Sequence, residues 1–190
     1  MSLREGRDLE SWLHEVRSEY WARLAALDAG LEESGRPHVL FRVARRTYAV
    51  DAGLCRGVVR RTRVAKLPGV PDHLLGVTGV RGEVISATDP ASLLGVGRSE
   101  VEGRRADAGY FLILSSQPLT AAMWVDWVED VVLLDPEAML QVEERWGGAA
   151  EGLLVGQWQG REPPVCVIDG RRYLELSAVR AMHGGERSPG

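Results

Sequence analysis

Three glycines and one arginine form the first candidate site in this sequence. Gly76, Gly79 and Gly82 recur every three residues, and Arg81 lies directly before the last of them. This spacing suits a loop that needs positive φ angles or a close approach between two backbone segments. The guanidinium of Arg81 carries five N–H donors in a planar fork. It either presents this fork to a partner or fastens the loop to a nearby carbonyl or carboxylate.

The glycine loop lacks the features of a phosphate-binding loop. Its spacing is not GxGxxG, no Lys-Ser or Lys-Thr pair follows it, and the next residues, 84–85, are an apolar run typical of a strand. An anion cradle of this type needs the N-terminus of a helix at that point. The sequence therefore predicts no nucleotide or other phosphate cofactor here.

The other residues that could catalyse a reaction do not come together in a known pattern. The histidines are scattered, with no HExxH motif and no cysteine cluster: His14, His38, His73 and His183. Adjacent serines at 115–116 lie in a predicted hairpin turn and not in a GxSxG motif. Three carboxylates on one predicted strand are split between its two faces: Asp126, Glu129 and Asp130. We therefore expect a protein that is not an enzyme and that holds no metal or cofactor.

Two tryptophans are candidate anchors for a protein partner. Trp124 and Trp127 stand three residues apart on a predicted extended segment, so they point to opposite faces and no single core buries both. They either pack where two sheets join or act as a binding hot spot, where tryptophan is over-represented.

Composition excludes several classes of protein. The chain of 190 residues has 45% apolar and 26% charged residues, which is typical of a globular protein. A net charge of −4 gives no overall reason to expect nucleic acid or an anionic membrane as partner. Cys55 and Cys166 lie far apart in apolar runs, which predicts free thiols in a reducing compartment. Without an apolar run of roughly 18 residues or a signal-peptide core, we expect a soluble, cytoplasmic protein.

The first 36 residues are predicted to form a separate amphipathic element. Apolar residues spaced by three or four place one stripe on a helix over residues 2–33: Leu9, Leu13, Val16, Tyr20, Leu24, Leu27 and Leu31. Gly30, Gly35 and Pro37 end this helix. The stripe over residues 9–31 either packs on the protein's own domain or binds a partner helix or a second copy.

From Pro37 the apolar period changes to two, which predicts a mainly β domain over residues 37–183. Short strands separated by turns favour two small barrels, about 39–95 and 108–170, over a parallel sheet. Each half ends in a strand, an aspartate and a short helix, with Asp89 in the first half and Asp169 in the second. We expect the second helix to be the C-terminal helix of the domain and residues 184–190 to be a polar tail.

A group of basic residues lies within and just after the third predicted strand of the first half: Arg56, Arg60, Arg61, Arg63 and Lys66. These residues either form a solvated surface or attract an acidic partner. Nucleic acid is the weakest interpretation, because no stacking aromatic residues alternate with the arginines.

Three segments of the chain together resemble the CheW-like domains, the coupling proteins of bacterial chemotaxis arrays. They are VLFRVARRTYAVDAGLCRGVV (39–59), LPGVPDHLLGVTGVRGEVISATDPASLLG (67–95) and AAMWVDWVEDVVLL (121–134). The resemblance covers roughly residues 39–179. It implies two five-stranded SH3-like barrels packed around a shared core, no catalytic activity and no cofactor. It also implies an adaptor that links the regulatory domain of a CheA-type histidine kinase to the tips of methyl-accepting chemoreceptors.

Carried over residue by residue, the resemblance implies a set of protein-binding residues. Arg81 and Gly82 match the family's loop Arg-Gly, and Gly76 matches its preceding glycine. Val58 and Val59 match a strand beside the receptor-facing groove, and Asp126 matches the aspartate of the family's Val-Asp pair. With the two tryptophans, the predicted protein-binding set is Arg81, Gly82, Val58, Val59, Gly76, Trp124 and Trp127.

The chain also departs from the family pattern. Gly57 stands where the family usually has glutamate, Gly79 where it has asparagine and Ser86 where it has proline. An alternative function follows, in which the barrels bind another signalling or motility protein through the N-terminal helix without receptor–kinase coupling.

Overall fold

The computed structural model describes residues 35–97, 108–140 and 152–178. The predicted helix over residues 2–33 and the polar tail over 184–190 lie outside these residues. The described part of the chain is mainly β, as the sequence predicts. Its strands are β1 (Arg36–Val43), β2 (Arg46–Asp51), β3 (Cys55–Arg60), β4 (Leu74–Val80), β5 (Glu83–Thr88), β6 (Tyr110–Ser116), β7 (Leu119–Val125), β8 (Trp127–Leu134), β9 (Met139–Leu140), β10 (Leu154–Trp158) and β11 (Val165–Ile168). Its helices are α1 (Pro90–Leu93) and α2 (Gly170–Ser177), with 3₁₀ turns at Ala52–Leu54 and Pro136–Ala138.

These strands form two sheets that exchange strands between the halves of the chain. The six-stranded sheet has the order β8-β1-β2-β11-β10-β9, and the five-stranded sheet has the order β3-β6-β7-β5-β4. Each sheet takes one hairpin, β1–β2 or β6–β7, from one half and its remaining strands from the other. The parallel pairs β2–β11 and β5–β7 join the two contributions. Residues 39–95 and 108–170 therefore do not each form a sheet of their own.

The predicted closure into two five-stranded barrels is wrong for the residues that the structure describes. In the five-stranded sheet, the edge strands β3 and β4 approach each other only through the segment after β3, where Ala65 forms one isolated bridge with Val77. In the six-stranded sheet, β8 and β9 remain separate edges. Closure needs a continuous ladder between the two edges, and a single bridge does not supply one.

Some strands, such as β6 and β11, are buried on both faces because each sheet packs on two sides. In β1, Val39 and Phe41 lie in a central core between the sheets. Leu40 lies in a second, smaller core, which is formed by residues of the six-stranded sheet alone. The five-stranded sheet has a matching inner core that includes Phe111 and Ile113. Burial on both faces explains why these strands read as almost continuous apolar runs.

Both helices begin at the aspartates that the sequence singled out. The side chain of Asp89 accepts a hydrogen bond from the backbone N–H of Ala91, and the side chain of Asp169 accepts from two N–H groups at the start of α2. These are N-caps, which satisfy donors that the first helical turn leaves free. α2 follows β11 of the six-stranded sheet and packs on β6 and β7 of the five-stranded sheet, so it connects the two sheets. Its Tyr173 hydroxyl lies 2.6 Å from the Thr88 hydroxyl, both fully buried.

A carboxylate with two arginines ties together three parts of the six-stranded sheet. Glu129 of β8 accepts hydrogen bonds from Arg42 of β1 at 2.7 Å and from Arg161, in the loop between β10 and β11, at 2.6 Å. Burial raises the pKa of Glu129, but the hydrogen bonds from Arg161 and Arg42 outweigh it, so the pKa is lowered from its ordinary value of 4.5. The ionised form is therefore the one that the fold stabilises.

The glycine loop needs glycine at two of its three positions. Gly76 has φ +136°, and a Cβ at this position would collide with the carbonyl oxygen of Ala65. Gly82 has φ +84° in the turn between β4 and β5. Gly79 has no such constraint, because its φ is not positive and nothing lies near a Cβ built there.

We expect Gly76→Ala to lower the free energy of unfolding by about 2–4 kcal/mol, because both the backbone conformation and the contact with Ala65 oppose a side chain. Gly79→Ala is the matched control in the same strand, and it should change stability by less than about 1 kcal/mol. Urea unfolding monitored by tryptophan fluorescence measures both. Equal stability of the two variants would contradict the close approach at Gly76.

We expect Glu129→Gln to lower the free energy of unfolding at pH 7 by about 1–3 kcal/mol, because two charge-assisted hydrogen bonds are weakened. The pKa of Glu129 is lowered on folding, so its stabilisation is fully present above the unfolded-state pKa and is lost as the pH falls through the folded-state pKa. The difference between wild type and variant should therefore shrink below about pH 4.5.

Urea unfolding at a series of pH values measures this difference. The control is Glu175→Gln, which removes an exposed pair with Arg172 and should have little effect at any pH. A stability difference for Glu129→Gln that stays constant down to pH 3 would show that the carboxylate is not stabilised in its ionised form.

Candidate protein-binding groove

The tip of the β4–β5 hairpin presents the arginine that the sequence singled out. Val80 pairs with Glu83, so Arg81 and Gly82 alone form the turn. Both have positive φ, +50° and +84°, as a two-residue hairpin of type I′ requires. Positive φ is unfavourable for arginine, whereas asparagine or glycine would adopt it readily. An arginine held in this conformation therefore carries local backbone strain.

Beside this tip lies a groove with a volume of about 220 Å³ in the five-stranded sheet. Its floor consists of four aliphatic side chains, one each from β3, β4, β5 and β6: Val59, Val80, Ile85 and Ile113. Gly57 and three charged residues complete its lining: Arg56, Arg81 and Glu83. An apolar floor with a few charged groups at the rim is typical of a site that takes a side chain of another molecule.

The rim of the groove carries three charged side chains. Arg56 lies 3.4 Å from Glu83, and more than half of each side chain is exposed. A pair of this kind contributes little stability, so Glu83 can give up its arginine at small cost. Arg81 brings a second guanidinium, and a Cβ built on Gly57 would lie 4.0 Å from its Nη2 atom. The rim therefore carries two guanidinium groups, those of Arg56 and Arg81, and the carboxylate of Glu83.

The structure brings three of the predicted binding residues together and separates the others. Arg81 and Val59 line the groove, and Gly82 shapes the turn beside it. Val58 points the other way, into the central core, where its side chain is 1% exposed. Gly76 is buried against the segment at Ala65. Val58 and Gly76 support the sheet, so we do not propose them as contact residues.

The two tryptophans lie on different strands and differ in exposure. Trp124 of β7 packs against the inner core of the five-stranded sheet, its Nε1 donates to the carbonyl of Ala108 at 3.1 Å, and the guanidinium of Arg61 lies 4.1 Å from its ring centre. Trp127 starts β8, is 39% exposed and contacts Tyr110 edge-on. Trp124 thus has a packing role, whereas Trp127 keeps a surface that a partner could contact.

Asp126, between these tryptophans, has a structural role. Its carboxylate accepts a hydrogen bond from the backbone N–H of Ala44 at 2.6 Å, and its own N–H donates to the carbonyl of Arg42 at 2.8 Å. Ala44 has φ +56° at the turn between β1 and β2. Asp126 lies between β7 of the five-stranded sheet and β8 of the six-stranded sheet, so its hydrogen bonds tie the β1–β2 turn to this connection.

Sequence reasoning missed most of the groove. Val80, Glu83, Ile85 and Ile113 were not singled out as binding residues, and Arg56 appeared only within the basic group. Ile113 belongs to the other half of the chain and enters the groove because β6 pairs with β3. Local sequence carries no signal of this pairing between two strands that lie far apart in the chain.

Burial changes the pKa of three reactive groups outside the groove. Burial raises the pKa of both free thiols, Cys55 and Cys166, so they stay protonated at neutral pH and are poor nucleophiles. Burial also raises the pKa of Tyr48 to about 12. No group of histidine, cysteine or carboxylate side chains among the described residues is placed to hold a metal ion.

No helix in the described residues is long and apolar enough to cross a membrane.

Comparison with known proteins identifies the fold and the family. A search of curated proteins found no match. Among solved structures, the scaffolding protein TtCheW from Thermoanaerobacter tengcongensis matches with a TM-score of 0.61 and 19% sequence identity, over 71% of this chain and 89% of that protein's chain. At this identity, the likeness shows a shared fold. The sequence matches the family described as CheW-like domain over residues 37–177, which is most of its length. The chain therefore belongs to the CheW-like domain family.

Proposed function

We propose that this protein is a non-enzymatic adaptor that couples chemoreceptors to a CheA-type histidine kinase in a bacterial chemosensory system. The observation that carries the proposal is the match to the CheW-like domain across residues 37–177. The fold shared with a scaffolding protein supports it. We propose that the protein acts in the cytoplasm, at the tips of membrane-bound receptors.

The groove beside Arg81 supplies the proposed contact with a partner. A helical receptor tip binds by laying apolar residues into such a groove, and the floor of Val59, Val80, Ile85 and Ile113 suits this mode. Edge strands β3, β4, β8 and β9 offer further surface for a second partner. An adaptor needs two separate surfaces, and we assign one to the groove and the other to these edge strands.

Two of the three departures from the family pattern have a local explanation. Gly79 is exposed with open space around it, so its difference from the family affects only the surface. Ser86 lies in the parallel pair of β5 and β7, where its hydroxyl donates to the carbonyl of Thr120 at 3.4 Å. Only Gly57 lies in the groove, so it is the departure that bears on partner binding.

We expect Arg81→Glu to weaken binding of at least one of the two partners by about tenfold or more, because charge reversal at the groove opposes the partner's recognition. Biolayer interferometry against the kinase regulatory domain and against a receptor-tip fragment from the same organism measures both affinities. Arg45→Glu is the matched control, an exposed charge reversal in the β1–β2 turn far from the groove in sequence. Unchanged affinity of Arg81→Glu for both partners would remove Arg81 from the site.

Deleting residues 1–34 separates this function from the alternative of binding through the N-terminal segment. The deletion leaves β1 intact, since that strand begins at Arg36. Receptor–kinase coupling through the sheets predicts that kinase binding survives the deletion. A wild-type protein that binds neither kinase nor receptor, together with loss of another native partner on deletion, would favour the alternative and overturn the proposal.

A further inference from the structure

The chain carries opposite net charges before and after its first strand begins. The N-terminal segment, residues 1–34, contains eight carboxylates and four arginines, a net charge of −4. Residues 35–97, which include β1 to β5 and α1, contain ten basic and four acidic side chains, a net charge of +6. Opposite charges on two segments of one chain attract each other, most effectively where the cations have no other partner.

Three of these cations form an exposed row in the described part of the chain. Arg60, Arg63 and Lys66 recur every three residues, at the end of β3 and in the segment after it, and all three are exposed. None of the ion pairs between described residues involves them. Arg61 differs from these three, because its guanidinium lies over the ring of Trp124. We call Arg60, Arg63 and Lys66 the basic row.

The backbone that carries the basic row is held in place on the five-stranded sheet. The N–H of Arg61 donates to the carbonyl of Gly109 at 3.1 Å. Ala65 and Val77 exchange two backbone hydrogen bonds, at 2.8 and 2.9 Å, which fix the segment beside the edge strand β4. The three cations therefore lie along one edge of this sheet.

The helix that the sequence predicts over residues 2–33 carries a row of carboxylates. At about 100° per residue, four of them fall within an arc of about 80° on one flank of the apolar stripe. This acidic row consists of Glu5, Asp8, Glu15 and Glu19. With a rise of about 1.5 Å per residue, it is about 21 Å long. The extended chain of the basic row covers about 20 Å, so the two rows match in length.

The N-terminal segment is long enough to bring the acidic row to the basic row. Arg42 of β1 pairs with Trp127, whose ring contacts Tyr110, and Tyr110 pairs with Arg60. The basic row therefore begins near the far end of β1, about 20 Å from where that strand begins. A helix that runs back from residue 34 to Glu19 covers about 22 Å, which is enough to reach this point.

We propose that the N-terminal segment folds back along its own domain and pairs the carboxylates of the acidic row with the basic row. Val64 and Leu67, half-buried in the chain between β3 and β4, offer apolar surface beside the cations to the stripe of the predicted helix. The N-terminal segment then competes with any other acidic molecule for these cations. The inference goes beyond the adaptor function and does not rest on it.

The test is cross-linking of the full chain with a water-soluble carbodiimide, which joins an amine to a carboxylate in contact with it. Lys66 is the only lysine in the sequence, so its amine is the only one on a side chain. Mass spectrometry of the digested protein identifies the carboxylate joined to Lys66. We expect a carboxylate of the acidic row in the same chain. The yield should fall about fivefold or more in about 1 M salt, which screens the charges.

Two triple variants with the same loss of charge form a matched pair. The first neutralises three carboxylates of the acidic row: Asp8→Asn, Glu15→Gln and Glu19→Gln. The second neutralises three carboxylates on the other flank of the apolar stripe: Glu10→Gln, Asp28→Asn and Glu32→Gln. We expect the first to lower the cross-linking yield about fivefold and the second to change it less than about twofold, because only the first removes charges that face the basic row. The ¹⁵N NMR spectrum of each variant reports whether the domain is folded.

The inference is overturned if Lys66 is joined only to carboxylates outside the acidic row, or to none. An equal loss of yield in the two triple variants would also overturn it. So would a link between two chains, which a mixture of ¹⁴N and ¹⁵N protein reveals as products of mixed mass and which would assign the basic row to a second copy. Because the experiment uses neither kinase nor receptor, its failure is distinguishable from failure of the adaptor function.

Discussion

The fold depends on one central core that neither half of the chain can build alone. Each sheet takes its hairpin from one half and its remaining strands from the other, and the apolar faces of both sheets meet in the middle. Tyr173 and Thr88 show the consequence, because their buried hydroxyls join a helix from the second half to a strand of the first. We infer that neither half folds by itself, since separation would expose this core to water.

The outer strands β8 and β3 each contain one bulge residue, and these two residues differ in charge. Glu129 in β8 is held by Arg42 and Arg161, whereas Arg56 in β3 lies at the rim of the groove. The bulge at Glu129 therefore stabilises the six-stranded sheet, and the bulge at Arg56 lies beside the aliphatic floor of the groove.

Sequence reasoning succeeded where the cause is local. Asp89 and Asp169 are N-caps because a short acceptor side chain before a helix satisfies its first N–H groups, whatever the rest of the fold does. Gly82 is required because a two-residue hairpin turn needs positive φ. Sequence reasoning failed where the cause lies in residues far apart in the chain. Val58 and Val59 are adjacent and chemically identical, yet one lies in the core and the other lines the groove.

By itself, the sequence determined the mainly β class, the helix caps, the arginine turn and the family, because each is written in a short segment or in the order of such segments. The tertiary structure alone decided which strands pair, and therefore that the sheets are open and share strands. It also decided that Ile113 lies beside Arg81 and that Trp124 packs while Trp127 is exposed. The physical reason is that pairing between distant strands is selected by burial of the whole core, which no local pattern encodes.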